Sequence, residues 1–225
     1  MAKRSVLPEV QRKLFHALMG LVAIVNWIGG PLLSIGFTGV CLAVFIGFDM
    51  MRIRVYGYSP LRSVTDRVMR PSERSRLGGN VFFAIGTLSI TLWLFIIGNL
   101  LATGLGLLCY WMLTGWLAIA AVVVAAVGDA LAAIVGIQWG RHRFRGDRSV
   151  EGTIAGFVGG LLVFLPFWYF LAMPIFYGAV AATMLVLVDI AKLPVDDNLL
   201  NPVVLGLSLA SVDILRVLIA GLGVP

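Results

Sequence analysis

Long apolar runs separated by short polar segments are the dominant pattern of this chain. A helix of about 20 mostly apolar residues is long enough to cross the hydrocarbon core of a bilayer. Runs of roughly this kind lie near residues 14–29, 32–50, 79–97, within 99–139, and at 151–172, 175–193 and 202–223. The pattern therefore predicts an all-α polytopic membrane protein with about seven transmembrane helices, in which residues 1–225 form a single integral-membrane domain.

The run at 99–139 is long enough for one transmembrane helix or for two. With one helix, every lysine and arginine except Arg216 falls on one side of the membrane or at its helix ends. With two helices, the arginines from Arg141 to Arg148 would lie outside, against the cytoplasmic bias of positive residues. We therefore expect one helix, preceded by a turn at Ala102–Gly106, with the N-terminus in the cytoplasm and the C-terminus outside.

Composition agrees with a membrane protein and excludes several other classes. Of the 225 residues, 60% are hydrophobic and 12% are charged, and the mean hydropathy is +1.00. These values exclude a disordered chain, a collagen-like repeat and a disulfide scaffold. The net charge of +6 does not indicate nucleic acid as a partner, because the basic residues lie between apolar runs. A transporter is also disfavoured, since the polar segments all fall on one side.

A polar segment with helical spacing precedes the first apolar run. Glu9, Arg12, Lys13 and His16 are spaced so that they share one face of a helix. Bases at this position often serve only to set topology, and that alternative stays open for Lys13. His16 lies past the first apolar residues and would need a polar partner at that depth.

Asp129 is a carboxylate inside the fourth apolar run. It lies 11 residues before Gly140, about 16 Å along a regular helix, and hence near mid-membrane. An ionised carboxylate there costs about 2.5–3.5 kcal/mol. We expect Asp129 to face a wet cavity, to pair with a base or to bind a cation; the purely structural alternative is a salt bridge to a buried arginine.

Two polar loops offer groups for a nucleotide and a metal ion. Arginines at 141–148, followed by a glycine-bearing helix start at Ser149–Thr153, supply guanidinium groups and backbone amides suited to a polyphosphate. Contact with anionic lipid is the alternative for these arginines. In the last loop, Asp196, Asp197 and Asn198 offer adjacent oxygen atoms for a hard cation such as Mg²⁺. They also suit a turn that caps the helix expected to begin at Pro202.

Three separated motifs resemble those of the CTP-dependent polyprenol kinases, which include the dolichol and phytol kinases. The motifs are Glu9-x-x-Arg-Lys-x-x-His16, then Gly128-Asp-Ala130 with Gly136, Gly140 and Ser149-Val-Glu-Gly-Thr153, and finally Val195-Asp-Asp-Asn198 with Pro202. The resemblance implies a multi-pass enzyme that transfers the γ-phosphoryl group of CTP to a long isoprenoid alcohol, or another lipid alcohol, and releases CDP. It also implies a need for Mg²⁺ or another divalent ion.

The central stretch is also similar to the phosphatidate cytidylyltransferases, in which the same nucleotide is attacked at the α phosphorus to give a CDP-lipid. The last cytoplasmic loop lacks the Lys-Arg and Pro-Gly-His-Gly-Gly signature of that family. The N-terminal Arg-Lys-x-x-His pattern is likewise a feature of the kinases. The kinase is therefore the preferred prediction and the cytidylyltransferase the alternative.

On this resemblance, the expected site residues form three groups. The catalytic group is Arg12, Lys13, His16 and Asp129. The nucleotide-binding group is Gly140, Arg141, Arg143, Ser149, Glu151, Gly152, Thr153 and Asn198. The metal ligands are Asp129, Asp196 and Asp197. The prenyl tail would lie along a face of the fifth span that carries Gly152, Gly156, Gly159 and Gly160. Close packing of two helices would explain the same glycines equally well.

Overall fold

The computed structural model describes residues 13, 19–54, 76–105, 110–145, 148–191 and 193–221. Its helices and strands in chain order are α1 (Leu21–Arg54), α2 (Gly79–Leu105), α3 (Tyr110–Gln138), β1 (Arg143–Arg145), β2 (Arg148–Ser149), α4 (Val150–Leu171), α5 (Phe176–Ala191) and α6 (Asp197–Gly221). In this part of the chain, five helices are long and apolar enough to cross a membrane: α1, α2, α3, α4 and α6. The predicted all-α class is confirmed, and the five helices are consistent with an integral membrane protein. The short hairpin of β1 and β2 was not predicted.

Helix α1 contains a sharp bend at Gly30. This residue has φ 71° and ψ −170°, a left-handed backbone conformation that favours glycine, and Pro31 follows it. Ser34 Oγ donates a hydrogen bond to Asn26 Oδ1 at 3.1 Å. Eight residues along a straight helix span about 12 Å, so this bond requires the two arms of α1 to approach each other. The bend lies where the sequence predicts a connection between two spans.

Helices α2 and α3 differ in one respect from the prediction. The expected turn at Ala102–Gly106 is wrong for its first four residues, because α2 continues to Leu105. Thr103 Oγ1 donates to the carbonyl oxygens of Asn99 and Leu100, at 3.0 Å each, so its hydroxyl is satisfied within the helix. Gly106 lies outside the described residues. Helix α3 is a single helix of 29 residues, as the charge distribution predicted.

Helix α6 begins five residues before the predicted start at Pro202. The carbonyl oxygen of Asp196 accepts hydrogen bonds from the amides of Leu199 and Leu200, at 3.0 Å each, which starts the helix there. Asp197 lies in the first turn, where a negative charge is favourable. Pro202 therefore lies inside the helix, not at its beginning.

Glycines bring α3 and α4 into backbone contact. A Cβ atom on Gly152 would lie 2.6 Å from the carbonyl oxygen of Ala132 and 3.0 Å from the Cα atom of Gly136. A Cβ atom on Gly128 would lie 3.1 Å from the carbonyl oxygen of Gly156. Small residues permit this close approach of membrane helices. The glycine face of α4 is therefore occupied by α3, which supports helix packing as the reason for these glycines.

Candidate functional site

Lys13 and Asp129 form an ion pair that joins the N-terminal segment to α3. Lys13 Nζ donates to Asp129 Oδ2, and the two side chains are only 5% and 22% exposed. Asp129 lies nine residues before the end of α3 at Gln138, about 14 Å along the axis. Of the alternatives considered for Asp129, the structure shows pairing with a base, and the base is a lysine. The other predicted catalytic residues, Arg12 and His16, lie outside the described residues.

Arg148 joins three elements at the same end of the helices. Its guanidinium group contacts the carboxylate and the backbone carbonyl of Asp189, near the end of α5. Its Nη2 atom lies 2.7 Å from Oδ2 of Asp197, the first residue of α6. A guanidinium group suits this arrangement because its planar fork can serve two acceptors at once. The Arg148 side chain is 19% exposed and that of Asp197 is 41% exposed, so the cluster is partly shielded from water.

Sequence reasoning missed this cluster. Arg148 was seen only as one of several bases in its loop, and Asp189 was not considered because it lies in an apolar run. The carboxylate of Asp189 within an apolar run could have indicated the cluster, since an ionisable side chain in a membrane helix needs a partner.

The loop after α3 folds into a hairpin that leads directly into α4. Arg143 of β1 pairs with Ser149 of β2 in antiparallel register. Ser149 then caps α4, since its Oγ atom accepts a hydrogen bond from the Gly152 amide at 3.1 Å. Thr153 Oγ1 donates to the carbonyl oxygen of Ser149 at 3.1 Å. The hairpin and the first turn of α4 are thus one hydrogen-bonded unit.

Other predicted nucleotide-binding residues belong to the same unit. The Glu151 carboxylate accepts a hydrogen bond from the His142 amide at 3.2 Å and contacts Nδ1 of His142 at 2.7 Å. Arg143 Nη2 donates to the carbonyl oxygen of Gly136 at 3.2 Å.

Gly140 and Arg141 complete this group. At Gly140 a Cβ atom would collide with Ser149 Oγ at 2.4 Å, so the loop has no room for a side chain there. Arg141 is exposed. The structure places these predicted residues together, and nucleotide binding by them stays a prediction.

The acidic loop before α6 has an internal hydrogen-bond arrangement. Asn198 donates to Asp196 Oδ1 through its amide, at 3.0 Å, and through Nδ2, at 2.7 Å. Asp197 contacts Arg148, as described above. In the part of the chain that the structure describes, no group of three or more His, Cys, Asp or Glu side chains is placed to hold a metal ion. Metal binding by Asp129, Asp196 and Asp197 stays a prediction, which the adjacent carboxylates of this loop suit chemically.

The described site is a set of charges at one end of the helices, together with the Lys13–Asp129 pair about 14 Å further in. It combines buried and half-buried ion pairs, exposed arginines, a helix N-terminus and an acidic loop. Such groups suit a phosphorylated ligand that meets a membrane lipid. The class of protein is therefore an integral membrane protein with a polar site at one helix end.

Comparisons with known proteins add an enzymatic resemblance. No protein-family model and no solved structure matches it. The chain is 34% identical over 164 residues, or 71% of its length, to a phytol kinase of Synechocystis. It is 24% identical over 177 residues, or 76% of its length, to a chloroplastic farnesol kinase of Arabidopsis thaliana. These similarities support a family of isoprenoid-alcohol kinases, and the chain spans only 58% and 51% of the lengths of the two relatives.

Proposed function

We propose that the protein is an integral-membrane kinase that transfers the γ-phosphoryl group of CTP to the hydroxyl group of a long isoprenoid alcohol. The alcohol oxygen forms a bond to the γ phosphorus, the bond to the β-phosphate oxygen breaks, and CDP leaves. The observation on which this rests is the similarity to a phytol kinase over 71% of the chain. Dolichol, phytol, geranylgeraniol and similar alcohols are the candidate substrates.

The proposed roles follow from charge and position. Phosphoryl transfer asks a protein mainly to position the reactants and to neutralise charge. Arg141 and Arg143 lie on the loop beside the start of α4, where they would contact the phosphates. Asp129 and one or both of Asp196 and Asp197 would hold Mg²⁺, which when bound neutralises phosphate charge. Lys13, against Asp129, would face the charge that develops on the transferred group.

Other residues complete the proposed site. Asn198 would orient a phosphate group, and Ser149, Glu151, Gly152 and Thr153 would shape the loop around the nucleotide. Arg12 would add a second positive charge beside Lys13. The alcohol proton passes to His16 or to a carboxylate that does not hold the metal ion.

The proposed topology has seven membrane crossings. The two arms of α1 on either side of Gly30 would count as two, and α5, of 16 residues, would add one to the remaining four helices. The N-terminus and the site would then face the cytoplasm and the C-terminus would lie outside. This agrees with the distribution of positive residues along the chain.

Thiol labelling tests this topology. In a chain without Cys41 and Cys109, we expect Arg141→Cys to react with an impermeant reagent only from the cytoplasmic side. We expect Ile175→Cys, in the turn before α5, to react only from the opposite side. Labelling of both positions from the same side would contradict the proposed crossings.

The phosphoryl transfer is tested by incubating purified protein with CTP labelled at the γ phosphorus, Mg²⁺ and either a prenol mixture or phosphatidate. We expect a labelled prenyl phosphate and release of CDP, and no product with EDTA present. A parallel arm with γ-labelled ATP measures the preference for CTP. Release of pyrophosphate with formation of a CDP-lipid would instead establish a cytidylyltransferase, and absence of turnover with every lipid would contradict both enzymes.

A further inference from the structure

We infer that the hydroxyl head of the lipid alcohol binds in a buried polar layer between α2 and α6, where it accepts a hydrogen bond from the Thr87 hydroxyl and donates one to Asn201 Oδ1. The inference rests on the proposed function and names the part of the site that receives the lipid. No role was expected for Thr87 or Asn201 from the sequence.

Three buried oxygen atoms of the described residues have no hydrogen-bond partner: Asn80 Oδ1, Thr87 Oγ1 and Asn201 Oδ1. Thr87 is fully buried and Asn201 is 5% exposed. Nearly all buried polar groups in proteins are hydrogen-bonded, because leaving one without a partner lowers stability. In a membrane protein this cost is not relieved by solvent. Unpartnered oxygens at this depth therefore indicate a ligand that brings its own donor.

Neighbouring hydroxyl groups on the same helices behave differently. Thr91, one turn after Thr87 on α2, donates its hydroxyl to the carbonyl oxygen of Thr87. Ser208, two turns after Asn201 on α6, donates to the carbonyl oxygen of Val204 at 2.8 Å. A hydroxyl group in an apolar helix usually donates to a carbonyl oxygen one turn earlier. Thr91 and Ser208 do so, whereas Thr87 does not.

Helix contacts place Thr87 and Asn201 at nearly the same depth. A Cβ atom on Gly86 of α2 would lie 2.6 Å from the carbonyl oxygen of Leu199 and 2.8 Å from Cγ of Pro202. Thr87 directly follows Gly86, and Asn201 lies between these two residues of α6. Both unpartnered side chains are therefore within about one helical turn of the contact between α2 and α6.

Asp129 lies within about one helical turn of this level. A Cβ atom on Gly206 of α6 would lie 3.6 Å from Cβ of Ala121 on α3. These helices run in opposite directions, because α3 ends and α6 begins at the end where Arg148 lies. Eight residues towards that end, about 12 Å along each axis, lead to Asn198 on α6 and Asp129 on α3.

The chemistry of the layer selects a ligand with a hydroxyl donor. Pro202 has no amide hydrogen, so the carbonyl oxygen of Asn198 receives no bond from residue 202. The carbonyl oxygen of Asn198 and Asn201 Oδ1 are thus acceptors only, whereas the Thr87 hydroxyl can donate as well. A phosphate group is a negatively charged acceptor with no hydrogen for Asn201 Oδ1, but an alcohol head can accept from Thr87 and donate to Asn201. The hydroxyl group would then lie within about one helical turn of the depth of the Lys13–Asp129 pair.

Matched substitutions test this inference. Thr87→Val and Asn201→Leu replace each unpartnered side chain by an apolar one of similar size. We expect each to raise the KM for the alcohol about tenfold, the loss of one hydrogen bond, while the KM for CTP stays within twofold. The thermal midpoint should stay the same or rise, because an unsatisfied buried group is removed. The controls Thr91→Val and Ser208→Ala should leave both KM values unchanged.

The outcomes separate this inference from the proposed function. Wild-type turnover combined with an unchanged alcohol KM in Thr87→Val and Asn201→Leu overturns the inference alone. A parallel loss of CTP affinity, or an equal change in Thr91→Val, also overturns it, since it indicates a general disturbance of packing. Absence of wild-type turnover with any alcohol overturns the proposed function. Retention of a labelled prenol by the wild type without nucleotide, and its loss in Thr87→Val, supports the binding site directly.

Discussion

Asp129→Asn is expected to lower turnover about 10²- to 10³-fold, because it removes the carboxylate that would hold Mg²⁺ and position Lys13, the groups that neutralise transition-state charge. It also removes the negative charge that pairs with buried Lys13. Breaking a buried ion pair from one side costs about 3–5 kcal/mol of folding free energy. Kinetics with γ-labelled CTP and thermal unfolding in detergent measure the two effects on the same preparation.

A double variant separates the catalytic role of Asp129 from its structural role. Lys13→Met combined with Asp129→Leu removes both charges, and an apolar replacement of a whole buried pair is often neutral or stabilising. We expect this variant to be more stable than Asp129→Asn and still inactive. Wild-type turnover in either variant would refute the assignment of Asp129 to the site.

Asp213 provides the matched control for Asp129. Its carboxylate is fully buried and accepts hydrogen bonds from Tyr177 and, at 3.0 Å, from Arg216. It lies 16 residues into α6, far from the site end. We expect Asp213→Asn to lower stability while the folded protein keeps its kcat.

Arg148→Met is expected to give the second largest loss. It removes the base that joins Asp189 of α5 to Asp197 of α6, and each charge-assisted hydrogen bond contributes about 1.5–3 kcal/mol. We expect a lower thermal midpoint and a roughly 100-fold loss of kcat/KM, mainly through the KM for CTP, because the start of α6 is no longer held beside the loop.

Comparison variants test whether this loss reflects positioning. Asp189→Asn leaves the contact between Arg148 and Asp197 in place and should have a smaller effect than Arg148→Met. Arg54, exposed at the end of α1, serves as the control, and Arg54→Met should behave like the wild type. An unchanged KM for CTP in Arg148→Met would contradict the positioning role.

The helices could be predicted from the sequence because the length of an apolar run determines whether it can cross a bilayer. Their ends could not be predicted equally well. Ala102–Leu105 continue α2 because Thr103 bonds to its own helix, and α6 begins early because Asp196 caps it. Glycine and proline at these positions suggested breaks, whereas local hydrogen bonds decided the outcome.

The types of residue in the candidate site could be predicted from the sequence, but the partner of each charged side chain could not. A carboxylate at Asp129 requires a partner, yet the partner lies 116 residues away in the chain, and only helix packing brings Lys13 to it. Asp189 was missed because its apolar surroundings hid it. Thr87 and Asn201 could not be found from the sequence, since polar uncharged residues are common in membrane helices and only the structure reveals missing partners.

The backbone contact between α3 and α4 has a consequence for the response to the bilayer. Membrane helices tilt to match the thickness of the surrounding hydrocarbon. With no side chains between Gly136 and Gly152, α3 and α4 have little freedom to slide past each other and must tilt as one body. The separation between Asp129 and the Ser149 cap is therefore insulated from differences in lipid chain length.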